Sequence, residues 1–143
     1  MVELKKHIEI NAPVEKVFGF LEEPNNFVEI WPSMQEVRNV EEQPEGGQTF
    51  DWTYKMAGIK FQGSSKTLEY VENEHSVVVN EEGIPSKLTW DYQPSGEGTA
   101  LDLRIEYEIP VPVLGKLAEK VVVKMNDNEA DTLLSNLKAV MEA

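Results

Sequence analysis

The chain predicts an α+β fold: a seven-stranded antiparallel sheet, interrupted once by two short helices and closed by one long C-terminal helix. Three observations carry this. Between Met34 and Ile109 apolar and polar residues alternate with the period of a half-buried strand, and Gly- or Pro-bearing turns cut the alternation into short runs. A further alternating segment opens the chain. Helical spacing takes over only between Pro13 and Trp31 and again after Pro112. Consecutive strands joined by tight turns pair as an antiparallel meander, and a meander flanked by helices can wrap around the last of them.

Each element follows from its own residues. Residues 2 to 10 place Val2, Leu4, Ile8 and Ile10 on one face and Glu3, Lys5, His7 and Glu9 on the other, with Lys6 the odd member of the apolar face. Asn11-Ala12-Pro13 stops this strand and starts a helix, Pro13 standing where a missing N–H costs nothing. Val14, Val17, Phe18 and Leu21 are its inward face, and Pro24 ends it. Phe27, Ile30 and Trp31 mark a second short helix over Asn25 to Ile30. Ser33 to Glu42 is a weak strand ended by Pro44-Glu45-Gly46-Gly47. Gln48 to Ala57 is a strong one, with Phe50, Trp52, Tyr54 and Met56 together, and Gly58 turns it into Lys60 to Val71. There the inward parity passes from Phe61, Gly63 and Ser65 to Leu68 and Tyr70, which calls for a bulge near Lys66. His75 to Glu82 holds Val77, Val78 and Val79. Ser86 to Gln93 aligns Leu88, Trp90 and Tyr92, and Thr99 to Ile109 aligns Leu101, Leu103, Ile105, Tyr107 and Ile109.

Pro112 to Ala143 reads as one helix with two apolar stripes that do not line up. Leu114, Leu117, Ala118, Val121, Val122 and Met125 form the first, and Leu133, Leu134, Leu137, Val140 and Met141 the second. At about 100° per residue the two faces differ by roughly a third of a turn. The break falls at Asn126-Asp127-Asn128-Glu129. An unbroken helix would continue the first stripe with Glu129, Thr132 and Asn136, polar groups on a face that partly seals a core and partly lines a cavity. A kink at the Asn/Asp run, or a helix curving around the core, accounts for the pattern equally well.

Composition narrows the function. A chain of 143 residues is read as a single domain, 1–143, able to bury a core without staples. With no cysteine it has neither disulfides nor thiolate chemistry. No segment approaches the roughly 20 apolar residues of a membrane span, and no apolar run follows the N-terminal charges, so a cytoplasmic protein without stable membrane insertion is expected. A formal charge of −13, spread along the chain, argues against nucleic acids and anionic lipid surfaces as partners.

Taken in order, the opening strand with Ala12-Pro13-Val14-Glu15-Lys16-Val17-Phe18, the segment Pro24-Asn25-Asn26-Phe27…Trp31-Pro32, and the closing Leu114-Gly115-Lys116…Leu133-Leu134-Ser135-Asn136-Leu137-Lys138 resemble one family. It is the START-like helix-grip superfamily, also called SRPBCC, and within it the polyketide cyclase/dehydrase and lipid-transport group. The resemblance covers essentially the whole chain. It implies a curved antiparallel sheet gripping the long helix, with a hydrophobic cavity between them. One reaction is not implied, because the fold hosts carriers, cyclases, hydrolases and interaction modules.

Phe50, Trp52, Tyr54, Phe61, Trp90, Tyr92 and Tyr107 fall on the inferred inward faces. From the residues alone, packed core is the simpler reading. The resemblance turns them into walls of a ligand cavity, to which Met125, Glu129 and Thr132 of the helix would contribute. Catalytic sets are sparse. His7 and His75 lack metal-ligand spacing, Gly46-Gly47 precedes a strand rather than a helix, and no nucleophile elbow occurs, so neither metal nor cofactor is expected. Arg104, between acids at 102 and 106, reads as a cross-strand ion-pair partner. Glu129 is the acid/base candidate, since an apolar cavity favours the neutral, proton-donating form of a carboxyl group. Three functions follow: a carrier or binding protein for a small lipid-, polyketide- or isoprenoid-like molecule, a cyclase/dehydratase-like enzyme that works largely by positioning, or a protein-interaction module.

Overall fold

The computed structural model describes residues 1–110 and 119–143 of the protein. Its seven strands form one curved antiparallel sheet in the order β1-β7-β6-β5-β4-β3-β2, with β1 and β2 at the two edges. The strands are β1 (Val2–Ile10), β2 (Met34–Glu42), β3 (Gln48–Met56), β4 (Ile59–Val71), β5 (His75–Asn80), β6 (Ser86–Ser95) and β7 (Gly98–Tyr107). Between β1 and β2 stand α1 (Val14–Leu21), a 3-10 turn (Pro24–Asn26) and α2 (Phe27–Ile30). The closing helix is α3 (Glu119–Glu142). This is the helix-grip arrangement.

The first strand of the chain pairs with the last. β1 runs antiparallel to β7 in unbroken register from Val2↔Tyr107 to Ile10↔Thr99. β3 and β4 are joined by a two-residue turn in which Ala57 (φ 50°) and Gly58 (φ 80°) both take left-handed backbone, the geometry that matches strand twist. The change of parity in β4 occurs between Thr67 and Glu69. Its effect differs from the expected one: Leu68 bulges outward and is 54% exposed, while Tyr70 turns inward against Phe18, 5.6 Å away edge-to-face.

α3 corrects the two-stripe reading. The helix passes through Asn126–Glu129 without a break. Val122, Asn126, Ala130, Leu133, Leu134, Leu137 and Met141 succeed one another at steps of three and four, the adjacent pair Leu133-Leu134 apart, so one inward stripe runs its length and Asn126 belongs to it. Val121, Met125 and Val140, expected inward, are exposed. The expected start, 112–118 with Leu114, Leu117 and Ala118, lies outside the described residues. Beside the buried stripe, Glu129 and Asn136 bond backbone groups of the α2 corner, Ser33 N–H at 2.7 Å and the Ile30 carbonyl at 2.9 Å. Lys6 resolves its odd place in β1 by crossing to α3, where its ammonium meets Asp127 at 2.9 Å and Asp131 at 3.0 Å.

Candidate functional site

Sheet and helix do not close on each other completely. Some 800 Å³ of space, its mouth included, lies between the inner sheet face, the α2 corner and α3. The wall is mostly rings and branched chains, among them Phe27, Trp31, Phe50, Trp52, Tyr54, Ile84, Leu88, Trp90 and Ile105. Such a lining suits a small apolar guest.

The rings are held by one another. Phe27 stacks on Trp90 at 6.3 Å and 22°, with Phe50 at the same centroid distance. Trp31 meets Tyr54 edge-to-face at 5.6 Å and donates its indole N–H to the Tyr54 oxygen at 3.2 Å. Trp52 needs an absence to fit. It faces Gly63 in the ladder, and a Cβ there would come within 2.4 Å of its indole ring, so only glycine lets the ring lie across β4. In that position Trp52 Nε1–H reaches the Asn80 side-chain oxygen at 3.1 Å.

Polar groups occupy two places on the wall. Ser65, Asn80 and Ser86 form one cluster, on β4, β5 and β6. Tyr54, Tyr107, Asn126 and Glu129 form the other. There Asn126 Nδ2 donates to the Tyr107 oxygen at 2.9 Å, and the Glu129 carboxylate accepts from Ser33 N–H. Burial, assisted by the nearby Glu129 charge, pushes the Tyr54 phenol up to about 12. Burial also raises Tyr107, against the opposing effect of the Asn126 hydrogen bond. Both phenols therefore stay protonated at neutral pH and keep an O–H to donate.

Among the described lining residues Glu129 is the only charged side chain, and none is a cation. Nor do the described residues offer three or more His, Asp or Glu side chains arranged to hold a metal ion. The histidines lie away from the cavity: His7 bonds Asp102 and Glu9, and His75 bonds Asp91 and Glu69. Arg104 pairs with Glu3 of the neighbouring strand at 2.7 Å and with Glu106 at 3.4 Å, leaving Asp102 to His7.

Of the side chains expected at the site, Phe50, Trp52, Tyr54, Trp90, Tyr107 and Glu129 line this cavity. Four do not. Phe61 is buried in the core without reaching the cavity wall. Tyr92 lines a smaller neighbouring space with Glu22, beyond a partition that includes Phe27, Phe50 and Trp90. Met125 is 49% exposed, and Thr132 is exposed with its hydroxyl turned back to the Asn128 carbonyl. Both sit on the outward side of the single helical stripe. Sequence reasoning missed Trp31 and Phe27, read as a helical corner, and Asn126, read as a stripe break. It also missed Ser65, Asn80 and Ser86. Ser65 shares the inward parity of Phe61, which was the one available signal.

A profile of the family described as polyketide cyclase / dehydrase and lipid transport matches residues 1–142. The chain belongs to that family. Its fold is similar to a crystal structure of a protein from Thermus thermophilus, with a TM-score of 0.81, 23% identity, and coverage of 96% of this chain and 95% of that one. A START superfamily protein from Mycobacterium smegmatis gives 0.74 at 16% identity, over 98% and 97%. The Zhui aromatase/cyclase from Streptomyces sp. R1128 gives 0.73 at 15% identity, over 95% and 93%. No curated protein matches the chain. No described helix is long and apolar enough to cross a membrane.

Proposed function

We propose that this member of the polyketide cyclase/dehydrase and lipid-transport family binds one small hydrophobic molecule in the cavity between sheet and helix, as a carrier or binding protein. The observation that supports this is the wall itself: apolar and aromatic over most of its extent, with the polar atoms gathered in two places and a single charged group among the described lining residues. An apolar guest gains by leaving water, and the few polar atoms orient it. The family and the aromatase/cyclase among the similar structures bring a second reading, a cyclase/dehydratase-like enzyme. One observation favours it. The Tyr54 and Tyr107 oxygens already accept hydrogen bonds from Trp31 and Asn126, which leaves their O–H hydrogens to polarise a guest carbonyl beside the Glu129 carboxylate.

Titration with Nile red, a neutral fluorophore that brightens in apolar surroundings, tests the binding reading. One equivalent binds the wild type. Leu88→Phe and Ala130→Leu, which fill the cavity from opposite sides, each weaken binding by about tenfold or more, roughly 1.4 kcal/mol. Unchanged affinity in both variants would place the dye elsewhere and reject the reading. Turnover of a linear poly-β-ketone that is lost in both Tyr54→Phe and Tyr107→Phe would favour the enzyme.

A further inference from the structure

The cluster of Ser65, Asn80 and Ser86 has a hydrogen inventory that can be worked out atom by atom. The Trp52 indole N–H can only donate, and it faces one end of the Asn80 amide at 3.1 Å, so that end is the oxygen. The same oxygen takes the Ser65 hydroxyl hydrogen, which fills both of its lone pairs. The amide nitrogen must then face Ser86, and it donates to that hydroxyl oxygen at 2.6 Å. Ser86 in turn sends its own hydrogen to the Ile84 carbonyl at 3.0 Å. Every hydroxyl and indole hydrogen of the cluster is committed inside it. Lone pairs on the Ser65 and Ser86 oxygens remain for a guest, together with the second hydrogen of the Asn80 amide.

We propose that this cluster is a recognition subsite for a neutral hydroxyl group, and hence that the guest is an uncharged apolar alcohol or phenol. The inference rests on the cavity being a ligand site and names the guest's chemistry. An O–H group matches the inventory in both directions: it gives its hydrogen to a serine oxygen and accepts one from Asn80. A bare hydrocarbon leaves these atoms without partners. A carboxylate or phosphate brings only lone pairs against two serine oxygens. The described wall holds no cation to receive it, and its one charge, Glu129, has the same sign. Burying an unpaired anion there is strongly unfavourable. The fit of Trp52 against Gly63 belongs to the same device, because the indole holds the amide in the orientation that leaves acceptors facing the cavity.

Displacement of Nile red by naphthalene, 2-naphthol and 2-naphthoate near neutral pH tests this on the full chain. The three share one ring system and differ at one substituent. The wild type is expected to bind 2-naphthol about tenfold tighter than naphthalene, the scale of one to two hydrogen bonds, and to bind 2-naphthoate more weakly than either. Ser65→Ala removes the Ser65 acceptor but frees the Asn80 lone pair that its hydrogen filled, and it leaves Asn80 bonded to Trp52 and Ser86. It should reduce, without abolishing, the preference for naphthol over naphthalene, read as the ratio of their affinities in that variant. Asn80→Leu, if it folds, should abolish the preference. Naphthoate binding as tightly as naphthol, or Ser65→Ala and Asn80→Leu variants that both keep the full preference, would overturn the subsite while leaving the cavity reading intact. Failure of Nile red to bind at all would remove both.

Discussion

Glu22 caps α1 with one carboxylate oxygen buried and unpartnered, in the small space it shares with Gln48, Ser76 and Tyr92. Burial raises its pKa from 4.5 to about 7. Between those two values the folded chain keeps a proton that the unfolded chain gives up. Stability on this account falls as pH rises from about 4.5 to about 7 and stays at the lower level above that. At about 1.36 kcal/mol per pH unit the full effect is about 3.4 kcal/mol, and because the residue is only partly enclosed, solvent screening reduces it to about 1–2 kcal/mol. Glu22→Gln replaces the acid with a neutral group of the same shape. The variant should match the wild type near pH 4 and exceed it near pH 8 by that amount, which for a chain of this size is about 3–7 °C in Tm. Thermal unfolding of both proteins across this range is the assay. A difference that does not change with pH, or a wild type more stable near pH 8, would refute the claim that Glu22 is held in a desolvated site.

Four more expectations follow from named contacts. Leu137, fully buried on α3, should cost about 2–5 kcal/mol as Leu137→Ala, read as a lower urea midpoint at unchanged slope. Lys6→Met removes the pairs with Asp127 and Asp131, whose side chains are half-exposed, so it should cost no more than about 1 kcal/mol, and the loss should shrink in high salt. Thr132→Val and Met125→Ala, both on the outward side of α3, should leave the affinity for Nile red unchanged to within about twofold. His75 is raised by its hydrogen bond to Asp91 and then by Glu69, against some desolvation. Its contribution is therefore complete below the ordinary histidine value of about 6.5 and is lost as pH rises through the raised one, so the advantage of wild type over His75→Gln in thermal unfolding should fade in that direction.

The strands were legible because a strand's burial pattern is local. Whether a residue faces inward depends on its parity, and Val2–Ile10, Gln48–Met56 and Gly98–Tyr107 state theirs without help from the rest of the chain. The long helix was half legible. Leu133, Leu134 and Leu137 announce a buried face, yet spacing alone could not say whether Asn126 interrupts that face or belongs to it. Hydropathy registers what a side chain prefers, whereas the Tyr107 hydroxyl that Asn126 meets is 19 residues away in sequence.

Parity says which side of the sheet a ring occupies and nothing of what stands opposite, so it could not separate Tyr54, on the cavity wall, from Phe61, in the core. Trp31 enters the wall because the α2 corner folds over β3, and Asn80 because Gly63 lets Trp52 reach across β4 to it. The amino-acid sequence by itself determined the strands, the helix that closes them and the inward side of the strands that alternate cleanly, since these rest on periodicity within a single element. The cavity and the orientation of its polar atoms were decided by tertiary structure alone, because an unfilled space is a relation between elements far apart in the chain.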